Sequence, residues 1–160
     1  MIDALWLATR GAEACWIHAV LVESSVEDVE GAVQAGDADV ALEAAWMALV
    51  WLALADMVAS GRASATSELA ALAAVVVTDH DVAPDLEWLV EGARPTADDA
   101  HDALRRVHAR QERFRSSLPI ELPSMRTPQG FFPSIGLARD VEEIRRLLGF
   151  DPFRWDYLAE

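Results

Sequence analysis

A single-domain, all-α helical bundle is the fold class this sequence predicts, and three observations lead to it. Its 160 residues suffice for one domain with a core of its own. Apolar residues recur at steps of three and four in segment after segment, the period of helices that bury one face. A stretch from about Val40 to Ser60 is apolar on every side through its middle, and a helix of that kind is surrounded by others. Together they predict five to seven helices around this central one, with short links that favour antiparallel neighbours. The single domain divides into a helical core over 1–116, an extended proline-rich loop over 117–136, and a C-terminal amphipathic helix with an aromatic tail over 137–160.

Each element has its own warrant. From Asp3 to Val22, the residues Leu5, Ala8, Ala12, Cys15, Ala19 and Val22 line one helix face. Ser24 with Glu27 three places on has the form of a capping box, which predicts a separate short helix carrying Val26, Val29 and Val33 and stopping at Gly36. Asp37 or Asp39 caps the central helix, whose large groups are Trp46, Met47, Trp51 and Met57 and which Gly61 stops. Ser64 or Thr66 opens an alanine- and valine-rich helix through Leu69, Leu72 and Val76. Pro84 starts a short helix ending at Gly92. Thr96 caps a helix reaching about Ser116, with the stripe Ala100, Leu104, Val107, Phe114 and Leu118 interrupted by Gln111. Four prolines and no helical period make 117–136 irregular. The last helix buries Leu137, Val141, Ile144 and Leu148, and Asp151 with Pro152 starts the tail.

The apolar share, 52%, against 25% charged residues, is the balance of a chain that folds. One cysteine, Cys15, excludes an intrachain disulfide and a zinc site of paired cysteines. The start MIDALWLATRG lacks the basic flank and cleavage signal of an export sequence. The longest unbroken apolar run, Ala44 to Ala55, is twelve residues where a membrane span takes about twenty. The expectation is a cytoplasmic protein that needs neither a membrane nor a cofactor. All thirteen basic residues are arginine, so Schiff-base chemistry and the phosphate-binding loop that ends in lysine are excluded. The net charge of −14 arises entirely in the first part: residues 1–93 hold two arginines and sixteen carboxylates, whereas 94–160 hold eleven of each. Such a field repels nucleic acid and membranes and favours a basic partner, besides serving solubility.

Few residues suggest chemistry. Asp98, Asp99 and Asp102, in the run DDAHD, match the DDxxD pattern that holds magnesium and diphosphate in isoprenoid synthases, since carboxylates one turn apart can share a hard cation. Acids directly after a cap residue also complement the helix dipole, and no second metal-binding helix is visible. His101 and His108 lie two turns apart with Arg105 between them, and with Asp102 they form a candidate acid–base or anion-binding set. A solvated face beside an arginine row accounts for the same residues. His80, between Asp79 and Asp81, fits a metal-binding HD pair or a plain turn. His18, three places after Cys15, can pair with a thiolate if both face a cleft, although Cys15 on the apolar stripe suits a buried structural thiol. The arginines at 105, 106, 110, 113 and 115 can dock on the acidic first half of the same chain or of a second copy, or hold an anionic ligand. The six tryptophans fill the core, or converge to wall an apolar pocket.

Arg94 with His101 seven places on resembles the arginine-to-histidine spacing of HEPN-type helical ribonucleases, and GDADVALEAAWMAL is similar to helices of that superfamily. The resemblance implies RNA cleavage that depends on His101, or the antitoxin of such an enzyme; Pro95 stands where that motif has a polar residue. The leading expectation is a non-catalytic accessory or interaction protein, a homodimer, whose acidic surface meets a basic protein such as a toxin, an enzyme or a nucleic-acid-binding protein. Its rival is a small enzyme with a tryptophan-lined pocket for an apolar ligand, served by Asp98, His101, Asp102 and His108.

Overall fold

The computed structural model describes residues 11–62 and 81–118, and within them all regular structure is helical. The first helix is continuous from α1 (Ala12–Ile17) through a π turn (His18–Val22) into α2 (Glu23–Ala35). This corrects the two-helix expectation. Every residue around Ser24 keeps right-handed helical angles, and Glu23 N–H donates to the carbonyl of His18, five residues back. The period Cys15, Ala19, Val22, Val26, Val29, Val33 runs past Ser24 without a break, so the capping-box pattern lies inside a helix whose burial continues. Such a pattern starts a helix only where the apolar period also starts.

Gly36 ends this helix in the left-handed conformation (φ 74°), with Gly36 N–H bonded to Val33 O and Asp37 N–H to Ala32 O, a Schellman cap. Asp37 then accepts from Val40 N–H at 3.2 Å and starts α3 (Ala38–Ala59), so the link between the two helices is two residues long and they form an antiparallel hairpin. Asp37, not Asp39, is the cap. Along α3 the residues Ala41, Ala45, Ala48, Leu52 and Ala55 step by four and three and are all buried, and the four alanines let neighbouring helices approach closely. By length and composition alone α3 is able to cross a membrane; 56% of its most apolar stretch is buried inside the bundle.

A short helix, α4 (Ala83–Glu87), opens with Pro84 in its first turn and passes into a second π turn, Trp88–Gly92. The indole of Trp88 lies 2.9 Å from where a Cβ on Gly92 would sit, which is why glycine closes this turn. Thr96 accepts from Asp99 N–H at 3.2 Å and caps α5 (Ala97–Ser117) as expected. α5 runs antiparallel to α2, since His108 reaches Glu30 and Arg115 reaches Glu23. It is therefore parallel to α3, and Ala32, Ala41 and Ala100 pack together at the hairpin end. Val22, Val26, Val29, Leu49, Val58, Leu86 and Val107 form the centre of the main core. The expected helix after Ser64, His80, the loop over 117–136 beyond Leu118, and the C-terminal helix and tail lie outside the described residues.

Candidate functional site

Three polar arrangements surround this core. The first is buried where the π turn faces α5. His18 is 1% exposed, stacks on Phe114 with ring centroids 5.4 Å apart, and has its Nδ1 4.0 Å from Glu23 Oε1. Gln111 Nε2 lies 3.5 Å from His18 Nε2 and donates to Glu23 Oε1 at 3.4 Å; Arg115 Nη1 donates to the same oxygen at 3.3 Å. Burial, and then the Arg115 charge, push His18 down to about 4, so its imidazole is neutral and Nε2 is able to accept from Gln111. Cys15, buried one turn earlier, is pushed up to about 12 by burial. A thiol in that state is not a nucleophile, which favours the structural reading of this residue.

The second is a ladder of alternating charges on α5, α4 and the turn that precedes α4. Arg105 Nη2 and Arg106 Nε donate to the two oxygens of Asp102, at 2.6 and 3.1 Å. Arg106 Nη1 and Arg110 Nε donate to the two oxygens of Asp85, at 2.8 and 2.6 Å. Arg110 Nη1 and Arg113 Nη1 both donate to Asp81 Oδ2, at 2.8 and 2.9 Å. The hydrogen bond from Arg105 holds the Asp102 carboxyl below its ordinary range. Burial alone would pull Arg106 down, but its bonds to Asp85 and Asp102 outweigh that and raise it. Arg106 also stacks over Trp88 at 4.2 Å from the ring centroid. Thus Arg106, Arg110, Arg113 and Arg115 dock on the acidic first part of their own chain, one of the arrangements the sequence allows, while Arg105 bonds within α5.

The third is open. Between α2 and α3, beside the hairpin turn, lies a groove of about 530 Å³. Glu27, Asp28, Asp37 and Glu43 rim it, and none of its lining residues is basic. Its floor is small: Gly31, Ala32, Ala35 and Ala44. Val40 also lines it and is 47% exposed; Val40 and Val90 are the large hydrophobic residues left exposed among those described. A second depression, about 380 Å³, lies against Asp56, Arg62, Asp81, Arg110 and Arg113, whose charges already pair with one another. Neither is lined by tryptophan; Trp46, Trp51 and Trp88 pack against the core.

The acid–base and metal candidates read from sequence sit on α5, and no cluster of them forms there. His101 Nδ1 bonds the Ala97 carbonyl at 2.6 Å, His108 Nε2 lies 2.9 Å from Glu30 Oε1, and Asp102 and Arg105 are bonded to each other. Asp99 accepts from Arg94 N–H at 2.7 Å, while Asp98 is exposed in the first turn. Among the described residues no three His, Cys, Asp or Glu side chains gather as a metal ion would require. Sequence reasoning passed over Glu23 and Asp85, both buried acids. One signal for the first was available: Gln111 breaks the apolar stripe because its amide faces Glu23 and His18. Comparison with family models, with curated proteins and with solved structures finds no match for this chain.

Proposed function

We propose that this chain is a non-catalytic helical interaction protein whose acidic face receives a basic protein partner. The carrying observation is how its charges are spent. All five arginines of α5 are bonded to carboxylates within the chain, while the groove between α2 and α3 brings Asp28, Asp37 and Glu43 together with no basic residue among its lining. A surface with that balance steers a cationic partner toward it and repels polyanions. A cytoplasmic setting and association with a second copy belong to the same reading.

The enzyme reading has less support. Asp102 and Arg105 bond each other while His101 and His108 turn to Ala97 and Glu30, and neither depression is lined by any of the four. The test is affinity purification from the native host at low ionic strength, followed by mass spectrometry and a salt titration. A stoichiometric basic protein is expected, released as salt rises from about 50 to 500 mM because the attraction is screened. A free monomer that carries nothing at low salt overturns the proposal.

A further inference from the structure

Gly31 stands inside α2 in ordinary helical conformation, among the residues that line the groove. Glycine weakens a helix interior relative to alanine, so an interior glycine calls for a reason. The fold supplies none here: a Cβ at Gly31 would meet no atom within 4 Å, and its φ is not positive. What the missing side chain does leave is a shallow floor. Asp28, Gly31 and Ala35 follow one face of α2 at steps of three and four, and Val40 and Ala44 follow one face of α3 behind its cap residue Asp37. The two faces make a trough with an apolar base and an acidic rim.

We propose that this trough seats an α-helix of a basic partner, laid close over Gly31 and Val40 with arginine or lysine side chains reaching Asp28, Asp37 and Glu43. The proposal rests on the interaction-protein reading and adds the place and the partner's conformation. Charge complementarity selects the occupant, since Asp28, Asp37 and Glu43 stand on the rim and the lining holds no cation. Helix geometry fits because the trough lies between two antiparallel helices whose small residues permit close approach, and the described residues offer no sheet edge for an extended segment.

The experiment is a display selection of random peptides of about four helical turns on the full-length protein, with affinities of the enriched peptides then measured on variants. Enrichment of arginine- or lysine-rich helix formers is expected, with affinity lost at least about tenfold in Gly31→Leu, which fills the trough at an exposed position. A comparable loss and a weaker salt dependence are expected in the double variant Asp28→Asn, Glu43→Gln, with thermal melting confirming that both variants fold. A proline placed mid-peptide should abolish binding. Basic peptides that bind Gly31→Leu as well as the parent protein, or that tolerate the proline, overturn the trough while leaving the acidic interaction surface standing. No enrichment, or enrichment of acidic or uncharged peptides, overturns both.

Discussion

Protonating His18 places a charge against Phe114 in a position 1% exposed, with the Arg115 guanidinium already serving the same cluster. In the unfolded chain the imidazole titrates near its ordinary 6.5, and in the fold near 4. Between those values the unfolded chain binds a proton that the folded chain refuses. Stability from this residue is therefore complete above about pH 6.5 and is lost as pH falls toward about 4, by about 3 kcal/mol at most. Denaturant midpoints measured across this window should fall steeply for the parent protein and less steeply for His18→Gln, which keeps a polar group but cannot titrate. Equal slopes in the two proteins would show that other groups govern the acid response.

At the scale of elements, the charge ladder is what ties α4 to α5, and its rungs differ in worth. Arg110 is 18% exposed and joins Asp85, 10% exposed, to Asp81. Removing it leaves Asp85 with Arg106 alone, and an under-compensated buried carboxylate is costly, so Arg110→Ala should destabilise by about 2–3 kcal/mol. Arg105 is 76% exposed and bonds Asp102 from the neighbouring turn, so Arg105→Ala should cost about 0.5 kcal/mol or less. Thermal melts of the two variants separate these outcomes. Much of this level was legible beforehand: the Asp37 and Thr96 caps, the Gly36 stop and the limits of α3 and α5 follow from local chemistry. The π turn was not. It inserts a single residue into a helix whose apolar period persists, and composition carries no mark of that. The Asp85 bridge escaped as well, because an acid after Pro84 in a first turn also has a sufficient local explanation in the helix dipole.

At the scale of the molecule, sequence foretold a partition of charge but not its use. The arginine run and the acidic first part proved to be halves of one internal contact, and only three-dimensional proximity identifies which carboxylates are consumed by it and which line open surface. The groove likewise depends on α2 and α3 lying side by side, so that Asp28 and Gly31 share a surface with Val40 and Glu43.

The chain's one thiol gives this architecture a built-in chemical clock. Cys15 is 6% exposed and the pKa of its thiol is held up by burial, so a maleimide or disulfide reagent reaches it only when the core packing around the first helix opens. Under mild conditions the labelling rate should equal the rate of a free thiol multiplied by the open fraction, reporting the free energy of that separation without any engineered probe. Arg110→Ala should accelerate modification only if loosening α4 spreads through α5 to the first helix; an unchanged rate would show that α4 and the first helix open independently.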